Sequence, residues 1–491
     1  MPLEMTTFGL ALDRRSRAPL HQQVFDAMAG AIRAGGLPHG ADLPSTRALA
    51  LSLGVSRNTV SWAYERLVSD RYIVTRQGAP ARVTRPVPPP APAPAALPPV
   101  APPATSLDRA GQLLRGPRSA RTPLARPSFQ PFVPDPRPFP FVQWQRLVSR
   151  RIPASCREDM TQDHPAGLPA LRALIAEALR TSRGVHCRPD QVIVTHGGQA
   201  ARDLVFRLIL RPGDRLWMEE PADPAARAAA IAAGAVSVPL PVCPDAGWDL
   251  DAPPQPAPQA IHVTPACHQP FCRVMPADQR HRLVDYARRH DAWIVEDDFD
   301  TDFQPSLTTL PAIQAIDGGA RSFHVGSFSR TMFPGLQIGY AVVPPVFAAA
   351  AVDALCVAGH SASLPMQGAL HDFIAQGHFA RHVARMRRLY AARKAHLLHL
   401  VQRDLSNWLI PAPGPVGLAL PTRMRDGLDD GAPCAAAQMR GLRIPALSGY
   451  FHHGSARQGM ILGFCTMTPE EMAANVAILR ACLMGTDARG G

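Results

Sequence analysis

Four groups of residues in this 491-residue chain have types and spacings that can do chemistry. Gly197-Gly198-Gln199 follows the apolar run Val192-Ile193-Val194; a helix opening there offers free backbone N–H groups and its dipole as a seat for phosphate or another anion. Glu296-Asp297-Asp298 closes a second apolar run, where a carboxylate can pair with a cationic group. Ser327-Phe328-Ser329-Arg330 closes a third. Arg330 is a guanidinium, which stays protonated at pH 7 with its lone pair delocalised, so it cannot act as an amine nucleophile. It can grip a carboxylate or phosphate with two parallel N–H groups. The fourth group, Ser56-Arg57-Asn58-Thr59, combines a helix-capping hydroxyl with two side chains suited to base edges.

A different lysine cannot easily take over at Arg330. Lys394 is the one lysine among 51 Lys and Arg residues. It lies in HVARMRRLYAARKAHLL, a basic amphipathic helix far along the chain, where a solvated side chain is expected.

The elements that must position these groups divide the chain into three blocks: 10–84, 85–124 and 125–489. The first reads as helices and a hairpin. Leu20, Val24, Ala27, Met28 and Ile32 recur at helical spacing before Gly35-Gly36. Ser45 starts a short helix with Leu49 and Leu53 inward, and Gly54 makes a turn. Ser56 caps a third helix with Val60, Ala63, Tyr64 and Leu67 on its apolar face. That spacing is a helix-turn-helix, whose second helix enters the major groove, so Arg57 and Asn58 are the leading base readers. The middle block has proline at ten of the nineteen positions 86–104, a linker whose polyproline II form spans on the order of 100 Å. In the third block, apolar β runs (191–195, 215–218, 260–263, 293–295 and 322–325) alternate with helical patterns such as 168–181 and 277–290. This predicts a doubly wound α/β sheet with ligands at the strand C-terminal ends.

LPSTRALALSLGVSRNTVSWAYERL, within residues 18–84, resembles the winged helix-turn-helix of GntR-type bacterial regulators. The resemblance implies an α+β head that binds double-stranded DNA through Arg47, Arg57, Asn58 and Thr59, with Ser45, Thr46 and Ser56 at the same surface, Ser45 and Thr46 toward phosphate. The wing falls at Tyr72–Val83, with Pro80 where threonine is common.

Residues 129–485 resemble fold type I aminotransferases, through FVPDPRPFPFVQWQRL (132–147), HPAGLPALR (164–172), VTHGGQAARDL (194–204), VEDDFD (295–300) and SFSRTMFPGLQIGY (327–340). With the GntR-type head, the chain resembles the MocR subfamily: transcription regulators, typically head-to-tail homodimers, whose aminotransferase-like domain, a large sheet plus a smaller C-terminal subdomain, binds pyridoxal phosphate. The resemblance implies cofactor contacts from Gly197, Gly198, Gln199, Asp297, Phe299, Ser327, Ser329, Arg330 and Gln337. Asp297 stands where the family pairs a carboxylate with the pyridinium nitrogen.

Other positions depart from that pattern. Arg330 replaces the Schiff-base lysine, Phe299 a tyrosine that bonds the cofactor's phenolic oxygen, and Gln337 an arginine that clamps its phosphate. Asp223 replaces an aromatic, Gln162 a tyrosine, and CHQPFCR (267–273) keeps only Pro270 of its turn. GMILGFC (459–465) lacks the arginine that holds a substrate carboxylate. The implied cofactor is then pyridoxal phosphate held at most noncovalently, or none. Arg330 either pairs with Asp297 or holds a small anionic effector.

Composition bounds the rest. A net charge of +12 suits an anionic partner, no run approaches the ~20 apolar residues of a membrane span, and no secretory signal leads the chain, so a cytoplasmic protein without a membrane partner is expected. Nine scattered cysteines without Cys-x-x-Cys spacing read as packed, reduced thiols and predict no metal site. Transamination needs a lysine as covalent anchor and as proton carrier. The expected function is therefore a MocR-type regulator and not an enzyme, its second domain either still responsive or a mute scaffold. The alternative is a pyridoxal-phosphate-dependent aminotransferase with an appended DNA-binding domain.

Overall fold

The computed structural model describes residues 12–14, 16, 18–76, 79–84, 128–152, 164–251, 255–298, 300–303, 310–425, 428–453 and 457–487. They belong to two compact units, within residues 1–104 and 105–491. The expected linker at 85–124, the wing tip at Gln77-Gly78, Cys156, Gln162 and Phe299 lie outside the described residues.

The first unit packs α1 (Leu20–Arg33), α2 (Thr46–Leu53) and α3 (Arg57–Ser69) with a two-stranded wing, β1 (Ile73–Val74) and β2 (Arg82–Val83), paired antiparallel. The inward face of α1 is Val24, Phe25, Met28, Ala29 and Ile32, with Leu20 and Ala27 only half-buried. The stripe is therefore rotated from the one the sequence suggested, because Phe25 packs with α3 and the wing. On α2 the buried pair is Leu49 and Ala50, and Leu53 is half-buried. Gly54 ends α2 at φ 61°, a left-handed conformation that glycine adopts without penalty. Val60 and Leu67 of α3 are wholly buried, worth ~1.5–3 kcal/mol each, which fixes which side of that helix faces out. Tyr64 Oη donates to the Pro44 carbonyl at 2.7 Å and ties α3 to the approach of α2.

The second unit runs through α4 (Phe141–Arg151), α5 (Pro169–Arg183), β3 (Val192–Thr195), α6 (Gly197–Ile209), β4 (Arg215–Glu220), α7 (Pro224–Ala232), β5 (Val236–Cys243), β6 (Gly247–Trp248) and β7 (Ala260–Val263). It continues through α8 (Ala277–Arg289), β8 (Trp293–Asp298), α9 (Ile313–Asp317), β9 (Ser322–Ser327) and β10 (Gly339–Val342). These strands form one mixed sheet in the order β3-β10-β9-β8-β7-β4-β5-β6. β9, β8, β7, β4 and β5 are parallel, and β10 and β6 run against their neighbours. Helices cover both faces, α6 and α7 packing on one and α8 on the other. The doubly wound expectation holds for the central strands. The antiparallel β10 begins at the end of the GLQIGY segment and, at four residues with a glycine first, is too short to show a strand period.

After α10 (Ala348–Ala358), α11 (Leu364–Ala375) and α12 (His378–Asp404), the chain builds a smaller antiparallel sheet from β11 (Leu409–Pro411), β12 (Ala419–Met424) and β13 (Gly459–Gly463). It packs with α12, α13 (Gly431–Met439) and α14 (Pro469–Asp487) around a separate core. Lys394 on α12 is half-buried, not solvated, and donates to the Gly414 carbonyl at 2.7 Å. Among the described residues no helix is long and apolar enough to cross a membrane.

Candidate functional site

In the first unit, local capping decides where side chains point. Ser45 Oγ accepts from the Ala48 N–H at 3.2 Å and Ser56 Oγ from the Thr59 N–H at 3.1 Å, so both hydroxyls start helices. Ser56 Oγ also lies 2.8 Å from Thr59 Oγ1, which engages both side chains with each other. Arg47, Arg57 and Asn58 are exposed, and Thr46 is half-buried beside them in sequence. The expected DNA-facing residues thus gather at the starts of α2 and α3, with the apolar faces of both helices turned away.

In the second unit, strand parity sorts the acid run. Successive side chains of β8 point to opposite faces. Asp297 shares its face with Val295, toward α6, while Glu296 and Asp298 turn toward α5 and α8. All three are buried, against the common exposure of acids at strand ends. Arg183 Nε lies 2.7 Å from Asp298 Oδ2, and His324 Nδ1 lies 3.3 Å from Glu296 Oε2, so these two carboxylates serve the packing beneath the sheet.

Asp297 has a partner that the sequence reading missed. Arg202, on α6 and 5% exposed, places Nη2 at 2.7 Å from Asp297 Oδ2 and Nη1 at 3.4 Å from Asp223 Oδ2. A pair with Arg330 was one of the two expected arrangements; Arg330 acts on Asp297 as a weaker charge than Arg202 and His262. Burial alone would raise the Asp297 pKa, but Arg202 and then His262, whose Nε2 is 3.6 Å away, hold it well below the ordinary carboxylate value. One sequence signal pointed to Arg202: it occupies the stripe Gly198, Arg202, Val205, Ile209, three and four residues apart, where an apolar side chain is the rule. Asp223, the acid in the aromatic's place, also caps α7, accepting from the Ala225 N–H at 3.0 Å.

The residues expected to seat an anion are brought together by close packing. A Cβ on Gly339 would come within 2.5 Å of the Gly197 backbone, so β10 can touch the start of α6 only as glycine. Gly197 itself has φ +81° and lies against the Gln337 side chain. Gly198 faces Ser327, whose Oγ accepts from the Ser329 N–H at 3.3 Å. Ser329 Oγ is buried and has no hydrogen-bond partner among the described residues. Gln337 is exposed, with Nε2 donating to the Pro334 carbonyl at 2.9 Å, and Gln199 Nε2 donates to the Ala225 carbonyl at 3.0 Å. Gly197, Gly198, Ser327, Ser329 and Gln337 are thereby brought together.

Half-buried Arg330 lies in the wall of a cleft of about 420 Å³, with Asp223, Arg227, Gln269, Arg443 and Tyr450 among the other lining residues. Arg443 supplies from the C-terminal part a guanidinium that the motif at 459–465 lacks. It was not legible because it lies outside every motif. Lys394 is not among the lining residues. Asp300 is buried near Arg330, its pKa pushed up to about 7 by desolvation against the opposing Arg330 charge, with Asp302 and Asp298 pushing the same way as desolvation. Among the described residues no cluster of His, Cys, Asp and Glu is arranged to hold a metal.

Behind the cleft, Glu219 is 2% exposed and accepts from Trp248 Nε1 at 2.7 Å, the Thr264 N–H at 2.8 Å and Thr264 Oγ1 at 2.6 Å. Desolvation raises its pKa to about 7 despite these donors. The folded state therefore holds this proton more tightly than the unfolded chain, so stability falls as pH rises from about 4.5 to about 7 and the deficit is constant above that. Glu219→Gln removes this dependence: relative to the parent, the variant should gain stability between pH 5 and pH 8 in urea unfolding. An unchanged difference across that range would refute the assignment.

Comparison with known proteins matches both units. Residues 20–83 match the family described as bacterial regulatory proteins, gntR family, and residues 152–414 match aminotransferase class I and II. The chain is 39% identical over 482 residues to the probable rhizopine catabolism regulatory protein MocR of Rhizobium meliloti, covering 98% of this chain and 97% of that protein. It is 28% identical to the pyridoxine biosynthesis transcriptional regulator PdxR of Corynebacterium glutamicum, covering 93% and 94%. The solved structure of LysN, the alpha-aminoadipate aminotransferase of Thermus thermophilus, superposes with a TM-score of 0.71 at 24% identity over 78% of this chain and 97% of that one, a likeness of fold.

Proposed function

Because the chain belongs to the MocR type of GntR-family transcription regulators, a DNA-binding head joined to an aminotransferase class I and II domain, we propose that it reads its operator through the start of α3 while its second domain works without covalent pyridoxal phosphate. What supports the second half is Arg330, which stands where the resemblance puts the Schiff-base lysine. A guanidinium stays protonated at neutral pH and offers no amine lone pair to the cofactor's carbonyl carbon.

The neighbouring residues support the same reading. Pyridoxal phosphate supplies an electron sink through its protonated ring nitrogen, which needs a carboxylate partner. Here Asp297 already faces Arg202 at 2.7 Å, and Asp223 adds a buried acid where an aromatic would cover the ring. The anion seat at Gly197, Gly198 and Ser327 is the part that still suits the cofactor's phosphate. The set as a whole does not fit a covalently held cofactor, and the enzyme reading loses its anchor and its proton carrier together. Blocks 10–84, 85–124 and 125–489 then act as DNA-binding head, linker and effector or dimerisation domain of a cytoplasmic homodimer.

Mixing the purified full-length protein with pyridoxal phosphate tests this directly. No Schiff-base absorbance should develop on the chain, and borohydride should fix no cofactor to it. A cofactor adduct at any lysine, found by mass spectrometry after reduction, would overturn the reading.

A further inference from the structure

The cleft beside Arg330 has a strongly basic wall. Arg227, Arg330 and Arg443 line it, and the carboxylate they meet there, Asp223, is already engaged by Arg202 at 3.4 Å. Arg227 Nη2 donates to the Tyr450 carbonyl at 2.8 Å and Arg443 Nη1 to Gln130 Oε1 at 3.3 Å, so both guanidinium groups are held in place by the cleft's own residues. Desolvation lowers the pKa of each, with Glu220 and Asp223 only partly opposing it at Arg227. An anion arriving between them would relieve that cost. A volume of about 420 Å³ suits a small molecule.

We propose that this cleft is a cofactor-independent binding site for a small dianion, gripped by Arg227, Arg330 and Arg443. The proposal rests on the reading that the domain carries no covalent pyridoxal phosphate. Planar guanidinium forks match both carboxylate and phosphate oxygens in pairs, which is why three of them in one wall select charge and shape rather than hydrophobic bulk. Arg202 belongs to the same design. By pairing with Asp297 and Asp223 it reduces the negative charge that those two acids would otherwise set against an incoming anion.

Calorimetric titration of the full-length protein with succinate, and separately with inorganic phosphate, tests the site. Saturable binding of at least one is expected, with acetate, a single carboxylate, much weaker. Succinate alone would identify a dicarboxylate and phosphate alone a phosphate group; either supports the site. Arg330→Gln and Arg443→Gln should each raise Kd ~10- to 100-fold, the usual weight of a hydrogen bond to a charged group. Arg423→Gln, in a different cleft, should leave it unchanged. Absence of binding by both dianions to protein that still binds DNA and unfolds cooperatively overturns the proposal. So does acetate binding as tightly as succinate, or an unchanged Kd in Arg330→Gln, which tests the site even if Arg443→Gln fails to fold. A borohydride-fixed cofactor would instead overturn the reading beneath it, and that is scored in a separate measurement.

Discussion

Arg202→Leu should destabilise the second unit by about 3–5 kcal/mol, the usual cost of removing one partner from a buried charge cluster. Arg202 is 5% exposed and faces Asp297 and Asp223, which are 5% and 9% exposed. Without it, two carboxylates remain in low dielectric, with His262 and the weaker charge of Arg330 acting on Asp297 and Arg227 acting on Asp223. The pH dependence should change sign as well. In the parent, Asp297 has a depressed pKa, so its contribution is present above the unfolded value of about 3.9 and is lost as pH falls through the folded one. In the variant, desolvation dominates and the folded value rises, so stability falls as pH increases above about 4. Urea unfolding at pH 5 and pH 8 should therefore show the larger deficit at pH 8. Arg202→Leu combined with Asp297→Asn should cost clearly less than the sum of the single changes, because the pair couples directly. Additive effects, or a loss under about 1 kcal/mol for Arg202→Leu, would show that the ion pair is not what holds these acids.

Arg57→Ala should weaken binding to the specific operator by ~1–3 kcal/mol, roughly 5- to 150-fold, if its guanidinium reads a guanine edge. The fold should be little affected: Arg57 is exposed at the first turn of α3, and the wholly buried Val60 and Leu67 that anchor the helix are untouched. Binding to unrelated duplex should fall much less. Titration at several salt concentrations separates the alternatives, since loss of a phosphate contact weakens all sequences alike and lowers the salt slope by about one unit. An equal loss on specific and unrelated DNA would move Arg57 from base reader to phosphate anchor.

The head was nearly legible from its residues. Ser45, Gly54 and Ser56 each act on backbone groups within a few positions, and the caps and turn form where the sequence placed them. What it hid was the rotation of the α1 stripe, because Phe25 is chosen by contacts with α3 and the wing rather than by its neighbours in the helix. In the second unit the parallel strands were readable as apolar runs. β10 was not, since Gly339 at its start answers to the close approach of Gly197.

The site divides in the same way. By itself the sequence determined that position 330 carries no amine, that Phe299 and Gln337 lack the groups the family pattern calls for, and that helices start at Ser45 and Ser56, because covalent identity and local periodicity do not depend on distant contacts. Tertiary structure alone decided that Asp297 pairs with Arg202, that Glu296 and Asp298 serve the opposite face, and that Arg443 joins Arg330 in one cleft. Ion pairing follows distance and burial in space, and a helix laid across a sheet brings together charges that chain order keeps far apart.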